Sequence, residues 1–340
     1  MRDVLVVGGG PVGLAAAIHA ARAGLDVAVA EPRSAPVDKA CGEGLMPGAL
    51  AELAALGVDP PGHRLAGIRY VDGSREVDAP FRSGPGRGVR RTMLHAALAA
   101  AAADAGVAVE ARTVRSVAQD SRGVLVDGEP VRYLLAADGL HSTVRRELGL
   151  EVAGAGRRRF GLRRHYAVAP WTPYVEVHWS ARAEAYVTPV ADDCVGVAVL
   201  VEDGGDFETL LDGFPRLRAR LAGVPASRVL GAGPLRQRAR HRVMGRVLLV
   251  GDAAGYVDAL TGEGLALGLA QAHAAVDAIV AGDPASYDAT ARRLARRHDL
   301  LTRALLATSS RQVLRRRLVP AAERVPWLFR AAVNELARPA

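Results

Sequence analysis

Apolar residues occur in short runs broken by glycine-rich turns. Val4-Leu5-Val6-Val7 predicts a buried parallel strand, and Leu14 to Ala23 carries a helical pattern ending at Gly24, a C-terminal cap. Asp26 to Ala30 predicts a second strand that closes on Glu31. An Ala-rich helix opens in Gly88-Val89-Arg90-Arg91 and runs to Asp104, and short alternating stretches from Val107 to Val126 predict strands. Leu134 to Ala137 is a strand ending in Asp138-Gly139. Val247 to Val250 is another, ending in Gly251-Asp252 and leading to a helix from about Leu265 to Val280. Between these lies a different pattern. Tyr174 to Trp179 alternates with period two, while Ala185–Pro189 and Val195–Leu200 flank a polar Ala191-Asp192-Asp193 turn, as in a hairpin. Gly67 to Val77 and residues 157 to 200 therefore predict an antiparallel sheet. Residues 206 to 222 read as helical, Gly84 to Gly88 as a flexible loop, and 286 to 340 as arginine-rich helices broken at Pro320 and Pro326. The class is mixed α/β.

The first forty residues spell strand, glycine turn, helix, strand, acid. In Gly8-Gly9-Gly10-Pro11-Val12-Gly13, Gly8 permits a tight turn, Gly10 lets backbone approach a pyrophosphate, and Gly13 lets helix pack closely on strand. The helix start offers unpaired N–H groups to phosphate, and Glu31 stands where a carboxylate holds ribose hydroxyls. This loop alone does not separate NAD from FAD. The strand ending at Gly251-Asp252 adds a carboxylate for a sugar or ribityl hydroxyl. The helix opening near Gly262 and Gly264 points its positive end at whatever ring lies there, which suits the anionic pyrimidine edge of a reduced flavin.

With these three elements in order, the chain resembles the FAD-dependent oxidoreductases of the p-hydroxybenzoate hydroxylase fold, the group A flavin monooxygenases and the geranylgeranyl reductase superfamily. Asp38-Lys39-Ala40-Cys41-Gly42-Glu43-Gly44-Leu45 and the stretch Gly251 to Gly264 look like the geranylgeranyl reductase branch. The resemblance implies a Rossmann-type FAD-binding domain of the glutathione reductase type, assembled from 1–62, 83–155 and 238–285. It implies a substrate-binding sheet domain from 63–82 and 156–237, and a C-terminal helical segment from 286–340. It places Gly8, Gly10, Pro11, Val12, Gly13, Glu31, Pro32, Arg33, Arg91, Val114, Asp138, Gly251, Asp252, Gly262, Gly264 and Leu265 at FAD, with NAD(P)H as a transient electron donor lacking a Rossmann domain of its own. Ala259 departs from the family, which commonly carries proline there. The tryptophan of the reductases' element around Tyr186, Thr188 and Pro189 is also absent.

Two reactions follow from the resemblance. In one, oxygen adds to reduced FAD and the flavin hydroperoxide hydroxylates a small aromatic, phenolic or polyketide-type substrate. The protein then needs an apolar pocket and one group to polarise the phenol; His165 or Tyr186 is the candidate. In the other, an isoprenoid or enone double bond is reduced and an acid protonates the second carbon. Cys41 and Glu43 lie in the flavin-facing segment; a buried small hydrophobe and a solvated loop carboxylate are their plain alternatives. Hydroxylation is the expected reaction and double-bond reduction the alternative.

Composition narrows the classes further. The 340 residues are half hydrophobic and 24% charged, which supports a large core of about two domains. Of the 44 basic residues only Lys39 is lysine, so the net charge of +8 is an arginine bias. Aromatics make up 4% and no basic block interleaves with them, which argues against nucleic acid. Lys39 lacks a phosphate-loop glycine pattern. Gly231-Ala232-Gly233-Pro234-Leu235-Arg236 fails as a second dinucleotide loop because Arg236 replaces the third glycine. Two cysteines and nine histidines without ligand spacing predict no metal site. Trp171 and Trp179 do not form the Trp-x-Trp-x-Ile-Pro element of flavin halogenases. The first residues run into a strand without a signal-peptide pattern, and no long run is wholly apolar, so a cytoplasmic protein without stable membrane insertion is expected.

Overall fold

The computed structural model describes residues 1–120, 123–153 and 158–338. Residues 155–157, where the expected boundary between nucleotide and substrate regions falls, lie outside them, as do 339 and 340.

Two sheets organise the chain. In the first, Arg2–Val7 pairs in parallel with Val27–Ala30 on one side and Glu129–Ala136 on the other. Ala108–Glu110 and Val247–Leu249 extend it in parallel. Val4 to Val7 are buried because both faces are covered. On one face lie the helices Pro11–Arg22, Arg91–Asp104 and Gly264–Val280, with Leu14, Ile18, Leu98, Leu269 and Val276 in a common core. The other face is covered by the antiparallel meander Val117–Gln119 and Val124–Val126, through Val117, Val124 and Val126 packed on Leu5, Val7 and Leu134.

The second sheet runs in the order Leu230–Ala232, Arg159–Tyr166, Cys194–Glu202, Ala183–Ala191, Tyr174–Trp179, Gly67–Asp72 and Arg75–Pro80. All neighbours are antiparallel except Tyr174–Trp179 with Gly67–Asp72, which are parallel. One face packs on the helices Phe207–Leu211 and Pro215–Leu221. The stretch 206–222, expected to be helical, is helical in two pieces, because the chain turns at Asp212-Gly213-Phe214 and Pro215 restarts it at a first-turn position. Toward Arg75–Pro80 the other face packs on Leu318–Arg324 and Pro326–Leu336 through Val319, Phe329 and Val333. Pro320 does not break the tail. It sits in the first turn of its helix, where a missing N–H costs no bond, while Pro326 opens the next helix.

A small third sheet joins the layers. Gly86–Gly88 pairs with both Gly44–Leu45 and His63–Leu65, so the expected loop over Gly84–Gly88 is in part a strand. A Cβ on Gly88 would lie 1.7 Å from the Pro189 carbonyl oxygen, and only glycine permits that approach.

Candidate active site

The glycine turn is built on close backbone contacts. Gly8 has φ +103° and donates its N–H to Ala30 O at 2.9 Å. A Cβ on Gly13 would stand 1.9 Å from Gly8 O, so helix and strand meet there without room for a side chain. Gly10 differs. Its φ and ψ are −70° and 175°, and a Cβ there would meet only Arg91 Nη2, at 3.7 Å. Open space thus lies over Gly10 at the start of the helix that Pro11 opens. The Arg91 guanidinium sits beside it, with Nε buried and unpartnered among the described residues. An open backbone cradle, a helix N-terminus and an underused guanidinium fit a pyrophosphate.

Glu31 lies beneath the turn. Its Oε2 accepts from Gly9 N–H at 2.9 Å and its Oε1 from Arg33 Nε at 2.8 Å. Burial pushes this carboxyl up, but the Arg33 and Gly9 hydrogen bonds outweigh it and hold it below the usual carboxylate range. Arg33 therefore occupies the carboxylate that the sequence assigns to ribose. Pro32 is exposed. Val114 is buried against the underside of the parallel sheet with Leu5 and Ala30. His95, which sequence reasoning missed, bonds Gly9 O at 2.9 Å, and burial lowers its pKa.

The second and third elements are stapled together. Asp138 Oδ2 accepts from Val144 N–H at 3.2 Å, and burial raises the carboxyl. Arg145, fully buried, donates to Leu140 O at 2.7 Å, Ala253 O at 3.0 Å and Gln237 Oε1 at 3.0 Å. It ties the Asp138-Gly139 loop to the Gly251-Asp252 loop, a role that its place in His141-Ser142-Thr143-Val144-Arg145 did not announce. Gly251 N–H is held by Gln271 Oε1 at 2.9 Å. Gly262 has φ +71°, and a Cβ on Gly264 would press on the Tyr256 ring at 2.9 Å. Glu263, between them, turns away to His298 Nδ1 at 3.0 Å in the tail helix Ser286–Ser309.

A cavity of about 350 Å³ runs from these loops into the second sheet. At the nucleotide end Gly8, Gly10, Pro11, Val12, Arg33 and Arg91 line it. Asp138, Asp252, Gly262, Gly264 and Leu265 follow, and its far wall includes Ile68, Tyr70, Val177, Leu305 and Leu336.

A sequence model described as the FAD binding domain matches residues 1–189. The chain belongs to the FAD-binding domain family. A menaquinone reductase of Mycolicibacterium smegmatis is 31% identical to this flavoprotein over 332 residues, spanning 87% of this chain and 80% of its own. A digeranylgeranylglycerophospholipid reductase of Methanothermobacter thermautotrophicus is 30% identical, spanning 86% and 80%. Among solved structures, a flavin-dependent brominase superposes with a TM-score of 0.81 at 18% identity, over 99% of this chain and 93% of that one, a likeness of fold. The flavoprotein is an FAD-dependent oxidoreductase.

Its candidate catalytic residues divide into two groups. Cys41, Glu43 and Tyr186 line the cavity. His165 stands behind Glu43, with Nε2 2.7 Å from Glu43 Oε2 and Nδ1 3.0 Å from Arg163 Nη1. Glu43 Oε1 also accepts from Arg91 N–H at 2.8 Å, while Arg163 bonds Asp38 and Lys39 O. Glu43 is thus buried and paired, neither solvated nor free. Tyr186 donates its hydroxyl to Leu260 O at 3.0 Å, and burial pushes its pKa well above the ordinary range. His165 and Tyr166 are neighbours on the strand Arg159–Tyr166, where alternation turns them to opposite faces. Both are buried, because each face of the sheet is covered: His165 meets Glu43, and Tyr166 packs with the Phe207 cluster. Arg163 went unread. The signal was its place two residues before His165, on the same strand face.

Proposed function

We propose that this flavoprotein saturates carbon–carbon double bonds of a polyprenyl chain. The observation that carries this reading is the state of the cavity beyond the flavin-facing segment. Its wall there is mainly hydrocarbon, with Ile68, Val175, Val177, Leu200, Leu235 and Leu260 beside Tyr70, Tyr186 and Thr188. The two groups expected to polarise a phenol are both committed elsewhere, Tyr186 to Leu260 O and His165 to Glu43. Hydroxylation of an aromatic ring is therefore the less well supported reaction. The relatives from M. smegmatis and M. thermautotrophicus, both named as reductases, support the same reading.

Bound FAD supplies the two-electron reduction, with NAD(P)H as transient donor. The chain's residues bind and protonate. Gly10 and the following helix hold the diphosphate, Arg91 neutralises it, and the apolar wall excludes water and aligns the alkene. The saturated product also needs a proton on its second carbon. Cys41 is the acid in this reading: the residue lines the cavity and its sulfur accepts Glu43 N–H at 3.4 Å, a contact that does not use the S–H proton.

The test is product analysis with purified protein and a panel of prenyl lipids and phenols, with and without oxygen. Saturated prenyl product under anaerobic reduction, lost in Cys41→Ala with FAD retained, is expected. Oxygen-dependent hydroxylation of a phenol without alkene reduction overturns the reading.

A further inference from the structure

The tail carries an exposed face that the cavity does not use. Within residues 311–328, Val313, Leu314, Val325, Trp327 and Leu328 are all exposed, Trp327 by 68% and Val313 by 66%. Interleaved with them, Arg311, Arg316, Arg317 and Arg324 are exposed and make no ion pair with any carboxylate among the described residues. The one acid of the stretch, Glu323, is taken by Arg75 at 3.4 Å. Solvent-facing apolar side chains, an aromatic and unpaired arginines in one short segment form an unstable surface in water and a stable one against negatively charged headgroups.

The reverse side of this segment is fixed to the cavity wall. Arg315 is buried and forms an ion pair with Glu184 Oε1 at 2.8 Å in the second sheet. Val319 and Ala322 belong to the same core cluster as Ile68 and Val177, and in the helix that follows Phe329 packs there too while Val333 and Leu336 line the cavity itself. No described helix is long and apolar enough to cross a membrane. The segment can therefore lie on a bilayer without spanning it.

We propose that residues 311–328 dock this flavoprotein on an anionic lipid bilayer, with Trp327 and Leu328 entering the interface and the four arginines contacting acidic headgroups. That the docked cavity draws its substrate from the same bilayer rests on the polyprenyl reading; the docking itself does not. Arginines near an anionic surface act through screened electrostatics, so binding weakens with salt, while the apolar contribution persists.

The experiment is co-sedimentation of full-length, FAD-loaded protein with vesicles of phosphatidylcholine alone or with phosphatidylglycerol, without substrate. The phosphatidylglycerol vesicles are expected to hold the protein and the neutral ones to leave it in solution. Trp327→Ser with Leu328→Ser, and separately Arg316→Gln with Arg317→Gln and Arg324→Gln, are each expected to lower the bound fraction about tenfold or more, with FAD content and melting temperature unchanged. Equal binding to both vesicle types, or variants that bind as the wild type does, overturns the proposal. So does a concentration-dependent dimer in sedimentation velocity that Trp327→Ser with Leu328→Ser abolishes, since a second copy then covers the face. Wild-type protein that saturates the alkene in detergent but does not bind phosphatidylglycerol vesicles removes the docking alone. Vesicle binding without any alkene saturation removes the reductase reading alone.

Discussion

Glu43 and His165 meet at 2.7 Å across the seam between the nucleotide-binding layer and the second sheet. Glu43 reaches that position with φ +60°, a conformation that glycine adopts freely and glutamate does not. The strain is held in place by three partners: His165, the Arg91 N–H and, at 4.0 Å, Arg163. Glu43→Ala leaves His165 Nε2 and the Arg91 N–H without this partner, while Arg163 keeps Asp38 and Lys39 O, and is expected to cost about 3–5 kcal/mol. Glu43→Gly loses the same bonds but relaxes the backbone, recovering about 1–2 kcal/mol of that loss. Urea unfolding should therefore rank wild type, Glu43→Gly, then Glu43→Ala. Equal stability of the two variants would show that the left-handed backbone stores no strain.

Gly10 and Gly13 separate cofactor binding from folding within one motif. Valine at position 10 keeps an allowed extended backbone and touches only the end of the Arg91 side chain, so the apoprotein of Gly10→Val should melt close to wild type. Its branched side chain fills the space over the helix start, and FAD retained through purification should fall about tenfold or more. Gly13→Ala drives a methyl into Gly8 O and should fail to fold. The flavin-to-protein absorbance ratio and a thermal melt of each variant check both expectations. A folded Gly10→Val holding stoichiometric FAD would be incompatible with a diphosphate at this loop.

This motif was legible because everything it needs is local: a strand, a turn and a helix within a few residues. The strand at Gly86–Gly88 was not. Gly-Pro-Gly-Arg-Gly has no apolar period, and its pairing partners at Gly44–Leu45 and His63–Leu65 come from elsewhere in the chain. The same distinction runs through the site. Glu43 could be named singly through the resemblance of its segment to the family's flavin-facing one, and His165 from its place on an expected strand. Their pairing, and the closure of the cavity by Leu305 and Leu336, are tertiary facts with no local trace. Arg145 shows the limit most plainly, since a fully buried arginine that ties the neighbouring Leu140 carbonyl to the Ala253 carbonyl far along the chain looks in sequence like any first-turn cation.

His19 makes the fold sensitive to mild acid. Burial, then the neighbouring His273 and Arg22, lower its pKa to about 4, with Asp277 opposing them. The rings of His19 and His273 stack at 4.3 Å, between the helices Pro11–Arg22 and Gly264–Val280 that flank the flavin loops. In the unfolded chain His19 titrates near 6.5. The native state therefore resists a proton that the unfolded state accepts. The contribution of neutral His19 is complete above about pH 6.5 and is lost as pH falls toward 4. With solvent screening at this partly exposed site, the loss should be about 1–2 kcal/mol. His19→Gln should flatten the decline in melting temperature between about pH 7 and pH 4.5. An unchanged slope would assign the acid sensitivity to other groups.

Tyr186 separates the two chemistries most directly. Its hydroxyl donates to Leu260 O, beside Ala259 and Thr261 in the loop that leads to the helix at Gly264. Tyr186→Phe removes that one bond and keeps the ring, so it should cost about 1 kcal/mol of stability. If the ring serves only as cavity wall, alkene saturation by the variant should stay within about threefold of wild type, because no transition-state interaction is lost. If the hydroxyl instead polarised a phenolic substrate, the same change would cost about a hundredfold or more in kcat, as removal of a general acid–base group does. Single-turnover rates of wild type and Tyr186→Phe, measured with a prenyl alkene and with a phenol, separate the two. A hundredfold loss confined to the phenol would return this cavity to hydroxylation.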